Sequence, residues 1–157
     1  MIELTEKSSG LLRVFVYGTL KPGEANYQNY CDRKVVNAIK AYVLGKLFDL
    51  PQGYPAMTLG DSPVYGYLLE FDFPEVLVEL DDLEDYHPAR PDSENLYNRQ
   101  QIEVYDFQGR SLGQAWAYLM TPEMVNNLGG VHQADGWWSE LPKADLRYST
   151  GFPIHWQ

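Results

Sequence analysis

Apolar residues follow two rhythms along this chain. Leu11–Tyr17 (LLRVFVY) is a short, nearly unbroken apolar run that stops at Gly18, as a buried strand does. Val35–Leu50, Tyr54–Thr58, Val64–Phe71, Tyr97–Phe107 and Ser111–Met120 are rich in β-branched and aromatic residues and read as further strands. Pro51–Gly53, Gly60–Pro63 and Gln108–Arg110 punctuate them as turns. Gly45, inside the longest of these segments, predicts a bend or bulge. In Phe73–Tyr86 (FPEVLVELDDLEDY) the period lengthens, because the apolar positions 73, 76, 77, 80 and 83 share one face of a helix. Pro74 suits the first turn of that helix and Asp72 its N-cap. Ala25–Arg33 has room for two helical turns. The tail from Thr121 reads as an irregular wrap with one short helix at Pro122–Leu128. About six strands with short helices predict an α+β domain with a curved or closed sheet.

The 157 residues predict a single domain, spanning 1–157, with a proper core. With 45% apolar and 22% charged residues, global disorder is excluded. No apolar run approaches the ~20 residues of a membrane span. The segment MIELTEKSSG lacks the apolar centre of a secretory signal, so the expected location is the cytoplasm. Cys31 is alone, which excludes an internal disulfide or a CxxC metal site. His87, His132 and His155 show no metal-ligand spacing, and no metal site is expected.

The 22 acidic and 12 basic side chains give a net charge of −10. This excess is local. The stretch Glu70–Glu94 holds ten acids and one base, Arg90, while the rest of the chain is almost balanced. Such a balance argues against a nucleic-acid partner. The acids form either a solvated outer helix face or the rim of an entrance, which would favour amine-rich ligands.

One acid is misplaced. Leu77, Leu80 and Glu84 share a helical face, so Glu84 lies on or at the rim of the apolar side. A carboxylate among apolar neighbours loses hydration, and its pKa climbs toward neutrality, as a general acid or base requires. Asp81, Asp82 and Asp85 crowd the same helix end against its dipole, which raises the cost of ionising Glu84 further. The competing reading is an ordinary solvated helix end. A second candidate is Val16–Gly23 (VYGTLKPG), after the first strand. Gly18 would let the backbone approach a ligand, and successive free N–H groups can bind a carboxylate or an oxyanion. It is neither a P-loop nor GxGxxG, and an ordinary turn is its competing reading.

Together, VYGTLKPGEAN (Val16–Asn26) and LDDLEDY…LYNRQQIEVY (Leu80–Tyr105) resemble the γ-glutamylcyclotransferase-like superfamily, which includes the AIG2-like proteins. DLPQGYPAM (Asp49–Met57), VYGYLLEF (Val64–Phe71) and AWAYLM (Ala115–Met120) fit as well, so the likeness covers about residues 12–120. The combination of YGTLKxG with a later LDxxE and YxR is what makes it specific. The resemblance implies a compact mixed β-barrel with flanking helices and a cavity between the YGTL loop and the acidic helix. It implies catalysis by one glutamate, Glu84, with no metal or organic cofactor. It places the glutamyl end of a small γ-glutamyl amine or peptide on the backbone of Tyr17, Gly18, Thr19 and Leu20. It also assigns Tyr97 and Arg99 to the YxR element and Tyr118, more loosely, to a pocket-lining aromatic. Release of 5-oxoproline and a free amine is the reaction it implies.

Twelve residues, Asp85–Leu96, separate Glu84 from Tyr97 and are expected over the pocket mouth. Arg99 is open between a substrate contact and a pair with a nearby acid. Trp137 and Trp138 are expected to pack over the barrel. Two rival functions stand beside the enzyme: a non-catalytic binding module of the same fold, and a Cys or Ser hydrolase using Cys31, which has no histidine near it in sequence.

Overall fold

The computed structural model describes residues 10–32 and 34–139. The tail beyond Ser139, with His155, lies outside the described residues. Seven strands form one sheet: β1 (Leu12–Val16), β2 (Val35–Asp49), β3 (Pro55–Leu59), β4 (Ser62–Phe71), β5 (Asn98–Tyr105), β6 (Ser111–Leu119) and β7 (Val131–His132). Three short helices accompany them: α1 (Tyr27–Tyr30), α2 (Val76–Leu83) and α3 (Pro122–Asn127). The order is β3-β2-β4-β1-β6-β5, and a β2–β5 pairing at Tyr42 and Tyr105 closes a five-stranded ring, β2-β4-β1-β6-β5. β1 runs antiparallel to β4 and parallel to β6, so the barrel is mixed, as the family resemblance implied. β3 and β7 lie on β2 outside the ring.

Strand alternation divides the core. Phe15 of β1 joins Ala41, Leu68, Val104 and Ala115 in a cluster to which every ring strand contributes, so this cluster fills the barrel. Its neighbours Val14 and Val16 point the other way, to Leu69, Val76 and Leu80, beneath α2. A side chain just past β1 is thus either in the barrel or against the helix, and the loop that follows sits at their junction.

Gly45 does not make the expected bulge. It is in register with Leu59 of β3 and with Ser62 of β4, at the point where β2 changes partner. A Cβ there would lie 2.9 Å from the Met57 sulfur and 2.9 Å from the Thr58 carbonyl oxygen, so close packing demands the glycine. The register shift of β2 falls instead between Val35 and Asn37.

The acidic helix is shorter than the periodicity predicts. A turn at Phe73–Glu75 precedes it, its N-cap is Glu75 rather than Asp72, and no side chain caps it. Val76 and Leu80 are buried as expected, but Phe73 is exposed. The helix stops at Glu84 because Asp85 turns to a φ of 54°, a left-handed conformation that aspartate tolerates at a cost of about 1 kcal/mol. The helix has no basic residue of its own in its last turn, so what offsets an acid there comes from elsewhere in the fold: Arg99 of β5 pairs with Asp81. α1 makes one turn, not two. In the tail, the short helix expected at Pro122–Leu128 forms as α3, where Thr121 caps it by accepting from the Met124 amide at 3.1 Å with Pro122 at the first position.

Candidate active site

A cavity of about 380 Å³ opens where the loop after β1 meets the C-terminal end of α2. The loop contributes Tyr17–Leu20, with Ala25 and Asn26 behind it. α2 brings Leu83 and Glu84, β1 brings Phe15 and Val16, and Gly53–Pro55, Leu96, Tyr97 and Tyr118 complete the lining. Seven of the eight sequence-designated residues, Tyr17, Gly18, Thr19, Leu20, Glu84, Tyr97 and Tyr118, therefore line one cavity.

The loop is held by its own hydrogen bonds. The Lys21 amide donates to the Gly18 carbonyl at 3.0 Å, the Asn26 amide to the Thr19 carbonyl at 2.8 Å, and Asn26 Nδ2 to Thr19 Oγ1 at 2.9 Å. No hydrogen bond among the described residues engages the amides of Gly18, Thr19 or Leu20. Gly18 has a reason the sequence did not show: a Cβ there would lie 2.6 Å from the Pro55 ring. The close approach it permits is to Pro55 at the start of β3.

Lys21 is a residue sequence reasoning missed. It is fully buried, with Nζ donating to the Trp138 carbonyl oxygen and sitting 3.5 Å from the centre of the Trp137 ring. Glu24 lies 3.8 Å from Nζ and accepts from the Ser139 hydroxyl at 2.6 Å. Burial brings the Lys21 ammonium down to about 7, against the pull of Glu24. The indole of Trp138 donates to Asp49 at 2.8 Å. Trp137–Ser139 therefore straps the loop from behind. The lysine within the YGTLK string was the only signal; Glu24 is close in sequence, but Trp137 and Trp138, which bury the ammonium, are not.

Glu84 is half-buried, lines the cavity, and accepts no hydrogen bond among the described residues. Burial pushes its carboxyl up to about 7. Crowding by neighbouring acids, the second cause expected from sequence, does not contribute. Asp81 is neutralised by Arg99, and Asp82 and Asp85 are exposed to water. Of the ten acids between Glu70 and Glu94, Glu84 alone lines the cavity; Glu70 and Asp81 are part-buried in ion pairs with Arg13 and Arg99, and seven others are exposed.

Three tyrosines surround Glu84, each with its hydroxyl proton committed elsewhere. Tyr17 donates to the Tyr118 carbonyl at 2.5 Å, Tyr97 to the Pro55 carbonyl at 2.5 Å, and Tyr118 to the Asp81 carboxylate at 2.7 Å. Burial is the largest cause that holds all three phenols far above their usual range; Glu84 comes next for Tyr17, Tyr17 for Tyr97, and the hydrogen bond to Asp81 for Tyr118.

Arg99 is the exception among the designated residues, because it does not line the cavity. Its Nε and Nη2 donate to the two Asp81 oxygens at 2.8 and 3.1 Å, and its guanidinium lies 4.3 Å from the Trp116 ring and 5.0 Å from that of Tyr86. The ion-pair reading is correct, and the substrate-contact reading is not supported by its position. The loop Asp85–Leu96 does not cover the cavity either; only Leu96 lines it. Buried Asn95 folds that loop on itself, accepting from the His87 amide at 3.1 Å and donating to Asn98 at 3.0 Å. Cys31 is buried outside the cavity with its thiol pushed up to about 12, which leaves it a poor nucleophile.

Residues 14–140 match the family described as "Gamma-glutamyl cyclotransferase, AIG2-like". The chain belongs to this family, a class of γ-glutamylcyclotransferase-type proteins. It is 36% identical over 106 residues to the γ-L-glutamyl-butirosin B γ-glutamyl cyclotransferase of Niallia circulans. That match covers 68% of this chain and 65% of the relative, so the chain spans just under two thirds of that protein's length. The fold is shared with the crystal structure of a mouse AIG2-like protein, with a TM-score of 0.61 and 23% identity over 85% of this chain and 92% of that one. It is also shared with an uncharacterised protein of Pyrococcus horikoshii, with a TM-score of 0.57 and 16% identity over 88% and 98% of the two chains.

Proposed function

We propose that this protein cleaves a γ-glutamyl amide by intramolecular attack of the substrate's α-amine on its own γ-carbonyl, releasing 5-oxoproline and a free amine. One observation carries this reading: an unpartnered carboxyl held near neutrality lines the same cavity as a loop with free backbone amides. Glu84 takes a proton from the α-amine as it attacks and returns it to the departing nitrogen. The amides of Gly18–Leu20 stabilise either the substrate carboxylate or the tetrahedral oxyanion. Folding the substrate so that its amine meets its carbonyl supplies the proximity.

No cavity-lining side chain is cationic. An acidic amine half therefore gains no ion pair there, and γ-glutamyl amines without a carboxylate on the leaving half are the first candidates. The compound named for the Niallia circulans relative belongs in the same test set. The purified protein, offered a panel of γ-glutamyl amides, should release 5-oxoproline from at least one. Binding without product across the panel would support a non-catalytic module instead.

The pH dependence follows from the same group. As a general base, Glu84 must be ionised, so kcat/KM is expected to rise with pH through about 7, not through the ordinary glutamate range. A rise centred near 4.5 would place the working carboxylate in water.

A further inference from the structure

Each cavity tyrosine already donates its proton to an acceptor of the protein, and this divides the cavity chemically. A phenol whose O–H is already donated has only lone pairs left to offer. Tyr17, Tyr97 and Tyr118 are all in this condition, because their protons go to the Tyr118 carbonyl, the Pro55 carbonyl and Asp81. With the Glu84 carboxylate they make an acceptor-only wall. The loop side is the complement. Its amides are free, and Thr19 Oγ1, which already accepts from Asn26, has its own proton to give. Such a cavity fits a ligand head with a donor on one side and an acceptor on the other, which is the arrangement of an α-ammonium beside an α-carboxylate.

Tyr118 differs from the other two tyrosines in how its proton is held. Tyr17 and Tyr97 donate to backbone carbonyls, whereas Tyr118 donates to a carboxylate. That carboxylate is itself fixed by two bonds from Arg99, which is sandwiched between Trp116 and Tyr86. A hydroxyl that donates to an anion is a stronger acceptor, because hydrogen bonds in a chain polarise one another.

We propose that Tyr118 accepts a hydrogen bond from the substrate's attacking α-amine, and that Asp81 and Arg99 are positioning residues that hold the Tyr118 proton out of the cavity. The assignment rests on the cyclotransferase reading and adds a residue-level role to it. Once Glu84 has taken one proton from the α-ammonium, the amine keeps two N–H bonds and one lone pair; that proton goes to the departing nitrogen, and Glu84 then takes the second proton that the ring nitrogen loses to become the lactam N–H. Acceptors on the tyrosine side hold those N–H bonds and turn the lone pair toward the γ-carbonyl. The same geometry explains why Arg99 stands outside the cavity.

The test measures binding in the Glu84→Gln background, where turnover does not interfere. Two probes are compared by calorimetry: an N-alkyl γ-glutamyl amide and the matching N-alkyl glutaric acid monoamide, which lacks only the α-amine. Tyr118→Phe should weaken the γ-glutamyl amide by about 10- to 100-fold, the range for a hydrogen bond to a charged group, and the monoamide by less than about threefold. Asp81→Asn should act in the same direction and add nothing further once Tyr118 is phenylalanine. A purely structural Asp81 would impose the same loss with or without the Tyr118 hydroxyl. Equal weakening of both probes by Tyr118→Phe would overturn the proposal, as would an undiminished Asp81→Asn effect in the Tyr118→Phe background. If the parent binds neither probe, the cyclotransferase reading fails and the proposal fails with it. Tyr118→Phe removes only one oxygen, so it keeps the test valid if Asp81→Asn fails to fold.

Discussion

Glu84→Gln is expected to lower kcat by about 10²- to 10⁴-fold, the range that a single general acid or base contributes, while the barrel and most of the ligand affinity survive. The amide is nearly isosteric with the carboxyl but takes no proton at neutral pH. The same substitution should affect stability in the opposite direction. The folded carboxyl titrates near 7 rather than at its ordinary 4.5, so between these values the folded state binds more protons than the unfolded one. Stability then falls as pH rises through that window. Above pH 7 the ionised, desolvated carboxylate costs about 3 kcal/mol relative to a neutral side chain. Glu84→Gln should therefore be more stable than the parent at pH 8, and the gap should close at pH 4.5. Denaturant melts at both pH values, with single-turnover assays on the same preparation, check both halves. Full turnover in the variant would remove Glu84 from the mechanism. A variant less stable than the parent at pH 8 would mean that the carboxylate makes a favourable contact in the fold.

Gly66→Ala should be the most damaging single methyl in the described barrel. Gly66 lies in β4 beside the end of β1, and an ideal Cβ there would stand 2.1 Å from the Val16 carbonyl oxygen. It would also stand 3.0 Å from the Phe15 ring. Neither backbone can yield easily, because β1 is paired on both sides, to β4 and to β6. Overpacking against fixed backbone costs about 3 kcal/mol or more, which for a chain of this size lowers Tm by roughly 10 °C. The displaced carbonyl belongs to the residue just before Tyr17 and Gly18, so kcat/KM should fall along with Tm. An unchanged Tm would show that β1 and β4 are not packed this closely. In that case the close spacing could not be what fixes the loop.

Much of this molecule can be read from one-dimensional spacing. The alternation in LRVFV sends Val14 and Val16 to one cluster and Phe15 to the other, as a strand must. The helical spacing through Val76 and Leu80 buries both and leaves Glu84 at the end of that face, where the cavity lies. The YGTL string forms the loop opposite. Local features are less legible: the helix starts later than Pro74 suggests, and Gly45 serves close packing rather than a bulge.

What sequence by itself determined was therefore which segments are strand or helix, which face of each is apolar, and that Glu84 breaks its pattern. Tertiary structure alone decided the closure of the ring at Tyr42 and Tyr105, the burial of Lys21 beneath Trp137 and Trp138, and the capture of Arg99 by Asp81. The physical reason is range. Periodicity records which side of an element avoids water, and that depends on neighbours within a few residues. Hydrogen bonds and ion pairs depend on which side chains meet across the fold. Lys21 and Trp138 are 117 positions apart, and Arg99 and Asp81 are 18, so their pairing exists only once the barrel has brought them together.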